Sequence, residues 1–212
     1  LPNCFRLQSG KISLPYNTAG GVMKYTPEPE LHVFKTEDEV RCRVAELGKE
    51  IADDYLPRKN TLMVVGILDG AFFFTAHLVH AIYKNAPKIP LRMDFVKLSS
   101  YGDKTVSSGT VRVERDISQS IKGADVLIVD DIVDTGRTVD FLVQNLLKPR
   151  EPASIRTCTL LHKPARAIIP IQPEYTGFIV PNEFVVGCGM DYKGEYRHLP
   201  YIGIFPGGKL WA

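Results

Sequence analysis

The chain has 212 residues, of which 44% are hydrophobic and 24% are charged, and its formal net charge is +2. A chain of this length can bury a sizeable apolar interior, either as one large domain or as a core with a small appendage. The near-balance of charges excludes a strongly basic nucleic-acid surface and a polybasic membrane patch. No apolar run approaches the roughly 20 residues needed to cross a bilayer. We therefore expect neither a nucleic-acid partner nor a membrane partner.

The four cysteines, Cys4, Cys42, Cys158 and Cys188, show no Cys-x-x-Cys spacing. This pattern disfavours both a zinc site and a dithiol redox site. Residues 1–21 lack a basic region followed by an apolar one, so we expect no secretory signal. Unpaired thiols are typical of a reducing compartment, and the sequence therefore predicts a cytoplasmic location.

The N-terminal residues 1–35 are rich in Pro, Gly and Asn and show no clear period, which predicts an irregular arm. Thr36 and Glu39 then have the spacing of a helix capping box. The apolar residues that follow recur at helical spacing: Val40, Val44, Leu47, Ile51 and Tyr55. They predict an amphipathic helix over residues 37–55, which ends before Pro57.

Strand and helix patterns alternate along the middle of the chain. The predicted strands are residues 61–68, 91–98, 111–113, 124–129 and 155–161, and the predicted helices are residues 71–83 and 136–147. Residues 99–109 are polar and predict a loop. This alternation is typical of an α/β fold, with a mainly parallel twisted sheet and helices on both faces. After Pro164 the strand-like pieces become short, at residues 177–180, 185–190 and 201–205, which favours a smaller lobe.

Residues 126–138 carry the strongest functional signal, with the sequence Val-Leu-Ile-Val-Asp-Asp-Ile-Val-Asp-Thr-Gly-Arg-Thr. In an open parallel sheet, ligands bind beyond the carboxyl ends of the strands. Here a buried strand ends in Asp130 and Asp131, and two adjacent acids beside a core are unfavourable unless a cation or hydroxyl groups meet them. Ribose hydroxyls and Mg²⁺ would satisfy such a pair, because hard cations bind carboxylate oxygens.

The five residues after this strand predict a phosphate-binding turn. Gly136 lets the backbone approach a ligand, Thr135 and Thr138 supply hydroxyl groups, and the start of the next helix supplies free N–H groups. The spacing of a Walker loop is absent. For Asp134 alone, simple capping of the helix explains the residue equally well. Helix capping does not explain the whole run of residues 126–138, because a cap needs neither two adjacent acids nor two threonines around a glycine.

Residues 126–138 resemble the phosphoribosyl pyrophosphate motif of the type I phosphoribosyltransferases, and residues 36–205 resemble the hypoxanthine-guanine branch of that family. The resemblance implies three parts: an arm over residues 1–35 that contributes to the hood, a core over residues 36–163, and a hood with the base-binding segment and a C-terminal strand over residues 164–212. It also implies purine salvage, in which the 5-phosphoribosyl group moves from phosphoribosyl pyrophosphate to N9 of a 6-oxopurine. Mg²⁺ is the implied cofactor, and a homodimer or homotetramer is the implied assembly.

The resemblance also assigns roles around the ribose. Asp130 and Asp131 would contact the ribose hydroxyls and the magnesium ion. Asp134 would lie near N7 of the purine and act as general base or acid. The 5′-phosphate would be held by the turn residues Thr135, Gly136, Arg137 and Thr138.

Five more positions match residues that the family uses at the base and at the pyrophosphate. Lys163 would donate to the oxygen at C6, although a solvated surface lysine is the alternative. Phe184 would stack on the purine, although it could instead belong to the core of the small lobe, and the Val185 backbone would bond the ring edge. Asp191 matches a second metal-linked aspartate beside the base, and Arg197 matches a pyrophosphate-binding arginine, since a guanidinium offers bidentate donors.

Two further segments match the family in position. Ser100 and Tyr101 begin the polar stretch that resembles a mobile loop, which closes over the site and excludes water. Leu68, Asp69 and Gly70 match a loop that binds pyrophosphate through main-chain groups, often over a cis peptide. Many members carry Lys where Asp69 stands, so this side chain is expected either to point away or to help hold magnesium.

Some features leave alternatives open. Cys188 and Met190 replace an expected Tyr and Leu beside the base, so the choice among hypoxanthine, guanine and xanthine stays open. His77 and His80 lie one turn apart on a helix, but without a third ligand we expect surface positions for them rather than a metal site.

Other enzymes and a non-enzymatic protein share part of this pattern. Receiver-like phosphoacceptors and dehalogenase-type phosphatases also have acid-rich strand ends, but neither needs the Thr-Gly-Arg-Thr turn. A phosphoribosyltransferase-fold regulator that binds RNA or a nucleotide without turnover is the non-enzymatic alternative. The near-neutral charge and the presence of Lys163, Phe184 and Arg197 argue against it.

Overall fold

The computed structural model of the protein describes residues 31–101 and 110–205. The strands are β1 (His32–Lys35), β2 (Leu62–Leu68), β3 (Leu91–Tyr101), β4 (Thr110–Arg115), β5 (Asp125–Val133), β6 (Ser154–His162), β7 (Tyr175–Ile179), β8 (Val185–Val186) and β9 (Ile202–Ile204). The α-helices are α1 (Glu37–Tyr55), α2 (Phe72–Asn85) and α3 (Arg137–Phe141). Within these described ranges, no helix is long and apolar enough to cross a membrane.

The main sheet has six strands in the order β4-β3-β2-β5-β6-β7. Every neighbouring pair is parallel except β3 and β4, which are antiparallel. The predicted α/β architecture with a mainly parallel sheet is therefore confirmed. Because β2, β5 and β6 are neighbours that run in the same direction, the residues that follow them meet at one edge of the sheet.

Both faces of the main sheet are covered by helices. Along β2, Leu62 and Val64 pack into the cluster that contains α1 and α2, whereas Met63 and Val65 pack into the cluster beneath residues 137–147. Successive side chains of a strand point to opposite faces, so an unbroken apolar run places half of its residues in each cluster. The predicted burial of this strand on both faces is thus confirmed.

The predicted start of α1 is confirmed in detail. The Glu39 backbone N–H donates to Thr36 Oγ1 at 3.3 Å, and the Thr36 backbone N–H donates to the Glu39 carboxylate at 2.9 Å. These two bonds satisfy N–H groups that the first turn of a helix leaves without partners. Such a cap stabilises a helix by about 0.5–2 kcal/mol, so the boundary is set locally.

The helix predicted over residues 136–147 differs in its hydrogen bonding. Only α3 is α-helical, and Leu142–Leu147 continue it as a π-helix, followed by a 3₁₀ turn at Lys148–Arg150. Pro149 has no N–H to continue the α-helical pattern, which accounts for the change near the C-terminal end. The buried face is nevertheless retained, because Val139, Leu142, Leu146 and Leu147 all pack into one cluster.

Three predicted strand ends were wrong. Strand β5 continues past residue 129 to Val133 because β6 pairs with it there. Strand β3 continues past residue 98 to Tyr101 because the antiparallel partner β4 supplies hydrogen bonds to this part of the chain. The strand expected over residues 185–190 stops at Val186, because Gly187, Cys188 and Gly189 all have positive φ and turn the chain.

A second sheet of three strands, in the order β1-β9-β8, forms a small lobe beside the carboxyl edge of the main sheet. Strand β1 was not predicted, and it lies in the segment assigned to an irregular arm. Residues 1–30 and 206–212 lie outside the described residues, so the predicted arm is untested there. The division of the chain into arm, core and hood stays a prediction.

Candidate active site

The predicted diacid lies at the carboxyl end of β5. Asp130 is only 5% exposed, and burial, together with the negative charge of Asp131, raises its pKa well above the ordinary value. Burial also raises the pKa of Asp131. Burial disfavours the ionised form of both carboxyl groups, and a bound cation would stabilise that form. Carboxylate oxygens are hard donors, which fit Mg²⁺.

The predicted metal set extends beyond this pair to Asp191, which carries an ion pair with Arg197 in this structure. Among residues 31–101 and 110–205, no group of three or more His, Cys, Asp or Glu side chains lies close enough to hold one ion. The described acids therefore do not form a complete protein cage. Mg²⁺ held at the diacid would take its remaining ligands from water and substrate, as this ion commonly does.

The turn after β5 has the backbone that the sequence predicts for a phosphate seat. Gly136 has φ of 80°, and a Cβ atom at this position would collide with the carbonyl oxygen of Ile169. The Thr135 carbonyl accepts hydrogen bonds from the backbone N–H groups of Ile168 and Ile169, at 3.1 and 3.0 Å. No side-chain hydrogen bond caps the helix that begins at this turn, and the first turn of a helix offers backbone N–H groups to an anion.

A cavity of 460 Å³ lies between this strand end and the small lobe. It brings together residues that are distant in the sequence: Asp131, Ile132, Asp134, Lys163, Arg166, Asn182, Glu183, Phe184, Val185, Met190 and Asp191. All five residues predicted to act at the base are therefore on its wall, namely Asp134, Lys163, Phe184, Val185 and Asp191. The volume lies within the range of small-molecule sites.

Lys163 follows β6 directly and is only 6% exposed. Its Nζ donates to the carbonyl oxygen of Glu183 at 2.6 Å, and burial lowers the pKa of this lysine. A solvated surface lysine was the alternative, and this degree of burial contradicts it. A partly desolvated ammonium group of this kind is suited to the recognition of a carbonyl oxygen.

Phe184 forms one wall of the cavity and also belongs to an aromatic cluster of the small lobe. Its ring packs edge-on against Tyr192 and Phe205, with centroid distances of 5.8 and 5.9 Å. The two interpretations of this residue are therefore compatible, because the cluster fixes the ring while it lines the cavity. Val185, its neighbour in β8, is buried and pairs with Ile204.

Asp134 faces the cavity and pairs with Arg166. Arg166 Nε lies 2.8 Å from Asp134 Oδ1, although the direction of this contact does not meet hydrogen-bond geometry. At this distance the two charged groups form an ion pair. No motif in the sequence singles out Arg166, and only its position three residues after Lys163 suggests a role.

The predicted pyrophosphate loop adjoins the diacid. The Leu68–Asp69 peptide bond is cis, as the resemblance implied. A Cβ atom at Gly70 would collide with the Asp131 carboxyl group, so the loop passes directly over the diacid. The Asp69 carboxylate binds Lys97 Nζ, 2.9 Å from Oδ2. Asp69 therefore has a cationic partner, Lys97. Among the described residues it does not belong to a group of three or more possible metal ligands.

Arg197 lies next to this loop, on the turn that follows β8. Its Nη1 donates to the Gly189 carbonyl at 2.6 Å, and its Nη2 lies 2.8 Å from Asp191 Oδ1. Gly189 has φ of 105° and touches the Gly70 carbonyl so closely that a Cβ atom would not fit. The small lobe thus places Arg197 beside the predicted pyrophosphate loop.

Comparison with known proteins identifies the scaffold. Residues 36–193 match the family described as "Phosphoribosyl transferase domain". The chain belongs to the phosphoribosyltransferase family. Within this family it is 41% identical over 181 residues to the hypoxanthine phosphoribosyltransferase of Salmonella typhimurium, covering 85% of this chain and 96% of that relative. It is also 47% identical over 172 residues to the bifunctional protein TilS/HprT of Listeria innocua, covering 81% of this chain.

The match covers 25% of that bifunctional relative, so this chain spans about a quarter of the relative's length. Among solved structures, it resembles a hypoxanthine phosphoribosyl transferase of Trypanosoma cruzi, with a TM-score of 0.76 and 40% identity. That match covers 84% of this chain and 91% of the other. The predicted membership of the family and the predicted fold are thus confirmed.

Part of the site expected of a phosphoribosyltransferase falls outside the described residues. Ser100 and Tyr101 are the last residues of β3, and residues 102–109 of the expected mobile loop are not described. Loop closure therefore stays a prediction. His77 and His80 are exposed on α2, which agrees with the expected surface positions.

Proposed function

We propose that the protein transfers the 5-phosphoribosyl group of phosphoribosyl pyrophosphate to N9 of a 6-oxopurine, which yields a nucleoside monophosphate and pyrophosphate. One observation carries this proposal: the cavity that contains Asp134, Lys163 and Phe184 borders the buried diacid. An aromatic wall, a buried ammonium group and a carboxylate suit a flat heterocycle that has a carbonyl oxygen and an ionisable N–H.

Base recognition would rest on the small lobe and on the end of β6. The purine would stack on Phe184, which contributes about 1–3 kcal/mol for a base on an aromatic ring. Lys163 would donate to the oxygen at C6, and the Val185 backbone would bond the ring edge. A cation at this position repels the amino group that adenine carries at C6, so the proposed substrates are hypoxanthine and guanine, with xanthine as a further candidate.

The ribose and its phosphate would lie over the end of β5. Asp130 and Asp131 would hold the ribose hydroxyls and Mg²⁺, with Asp191 as the second metal-linked acid. The 5′-phosphate would accept hydrogen bonds from the turn at residues 135–138. When bound, Mg²⁺ neutralises charge on the pyrophosphate as it leaves. The loop of Leu68, Asp69 and Gly70, together with Arg197, would hold that group.

The reaction exchanges one bond at C1′ for another. The bond from C1′ to the pyrophosphate oxygen breaks with its electron pair, and N9 of the base forms the new bond to C1′. Positive charge then builds up on the purine, and loss of the N7 proton relieves it. Asp134 would accept that proton, which requires the Arg166 contact to leave one carboxylate oxygen available to the base.

One turnover assay tests this proposal. Hypoxanthine, guanine, xanthine and adenine are each supplied with phosphoribosyl pyrophosphate and Mg²⁺, and nucleotide formation is followed by absorbance. We expect turnover of at least hypoxanthine or guanine, and little or none of adenine. An enzyme that prefers adenine, or that uses no purine at all, would sink the proposal.

Three further features accompany the proposed activity. The enzyme would require Mg²⁺, work in the cytoplasm and assemble as a homodimer or homotetramer. Exposed aromatic side chains on α2, at Phe72, Phe73 and Tyr83, support an assembly because they offer apolar surface to another copy. Measurement of molar mass by light scattering tests this part separately.

A further inference from the structure

A half-exposed lysine lies beside the proposed pyrophosphate loop. Lys97 is the sheet partner of Leu68, so its side chain extends beside the residue that immediately follows β2. Its Nζ donates to both carboxylate oxygens of Asp69, at 3.2 and 2.9 Å. Glu114 Oε2 lies 3.8 Å from the same Nζ. One ammonium group thus has two carboxylates nearby at the edge of the loop.

The stability of the fold does not explain this arrangement. The side chains of Lys97 and Asp69 are 37% and 49% exposed, and ion pairs of such exposure contribute little to stability. The contact is therefore readily exchangeable. An ammonium group has three donors, so an anion that arrives at the loop can share Lys97 with Asp69 or replace it.

A second cation faces the same region. Arg197 is anchored on the Gly189 carbonyl, and Gly189 touches Gly70 of the loop. Hydrogen bonding to Asp69 raises the pKa of Lys97, whereas the positive charge of Arg197 acts on it in the opposite sense. Two cations close enough to influence each other, both beside the same loop, suit a polyanion rather than a neutral ligand.

We propose that Lys97 binds the pyrophosphate group of the substrate, and that Asp69 is the counter-ion that holds its ammonium group in place until the anion arrives. This inference rests on the proposed function, whose substrate carries the pyrophosphate. The negative charge of Asp69 then has a defined role at a polyanion site. It competes with the ligand for Lys97, and it limits affinity for the product that must leave.

The test breaks the same ion pair from its two sides. Binding of inorganic pyrophosphate in the presence of Mg²⁺ is measured by calorimetry for Lys97→Met and for Asp69→Asn. Lys97→Met should weaken binding about 5- to 50-fold, because a charged hydrogen bond is lost. Asp69→Asn should strengthen it about two- to fivefold, because a like charge is removed while Lys97 remains. The KM for phosphoribosyl pyrophosphate should follow the same directions.

Three controls accompany the pair. Lys97→Arg keeps the cation and should bind pyrophosphate within about threefold of the wild type. Lys122→Met removes an exposed lysine that pairs with Glu151 elsewhere on the surface, and should change nothing. Guanosine monophosphate, which lacks the pyrophosphate, should bind Lys97→Met as it binds the wild type. Equal weakening by Lys97→Met and Asp69→Asn would show an ion pair with a structural role only and overturn the inference.

The outcomes separate this inference from the proposed function. If the wild type turns over a 6-oxopurine but Lys97→Met binds pyrophosphate normally, the inference alone fails. If the wild type turns over no purine but pyrophosphate binding depends on Lys97 as described, the proposed function fails and the anion site remains.

Discussion

Replacement of Lys163 by glutamine should weaken 6-oxopurine binding and leave the other substrate almost unaffected. The ammonium group is nearly inaccessible, and one of its three donors is committed to the Glu183 carbonyl at 2.6 Å. Two donors therefore remain for the C6 oxygen. Loss of a desolvated charged hydrogen bond costs about 1–3 kcal/mol. At about 1.4 kcal/mol for each factor of ten, the KM for hypoxanthine should rise about 5- to 150-fold.

Steady-state turnover followed by absorbance gives the KM for each substrate with the other saturating. The KM for phosphoribosyl pyrophosphate should stay within about twofold, because Lys163 lies on the base side of the cavity. The ratio of adenine to hypoxanthine turnover should rise, since the glutamine carbonyl can accept from the amino group of adenine. Lys122→Gln is the matched control, because it removes an exposed lysine far from the cavity.

Two results would refute the reasoning about Lys163. Efficient use of adenine by the wild type would mean that the ammonium group does not read position 6. An unchanged KM for hypoxanthine in a folded Lys163→Gln variant would mean that the base binds elsewhere. Thermal melting of the variant is needed beside the kinetics, because the bond to Glu183 also joins β6 to the small lobe.

Three other substitutions test separate parts of the site. Asp134→Asn should lower kcat by about 10²–10⁴ with little change in affinity for phosphoribosyl pyrophosphate, and near-normal turnover would remove it from the chemistry. Arg166→Gln should lower kcat about 10- to 100-fold through loss of Asp134 orientation, whereas a change confined to KM would indicate a contact with the base instead. Asp130→Asn should abolish activity yet raise the melting temperature by about 2–6 °C, from about 1–2 kcal/mol, because a buried carboxylate without a cation destabilises the fold. Asp125→Asn, which removes a buried acid already paired with Arg58, should lower it, and the reverse order of melting temperatures would contradict this account.

Those parts of the molecule that depend on local sequence could be predicted. The capping box at Thr36 and Glu39 and the helical period behind it set α1 without help from the rest of the chain. The site at the end of β5 could also be located, because parallel strands bring their carboxyl ends to one edge and two adjacent acids are unusual there. Residues 126–138 thus carry both the fold signal and the ligand signal.

The parts that escaped prediction depend on contacts between distant segments. Strand β1 has two exposed and two half-buried residues, and it exists because β9, about 170 residues later, pairs with it. The partners of Asp134 and Asp69 are set by tertiary placement, so neither Arg166 nor Lys97 stood out from the surrounding sequence. Lys97 lies within β3, opposite Leu68 at the carboxyl end of β2, so the strand-end rule that located Asp130 applies to its position as well.

The close packing of Gly189 against Gly70 has a consequence for how the two halves of the active site communicate. Neither position has room for a side chain atom, so a shift of the pyrophosphate loop must displace the turn of the small lobe. Met190, the next residue, lines the base cavity. If the loop binds pyrophosphate as proposed, its occupancy would reach the cavity wall through this contact, and we expect each substrate to alter the affinity for the other by the same factor. Titration of each ligand with and without its partner measures this coupling, and strictly independent affinities would show that the two glycines touch without transmitting anything.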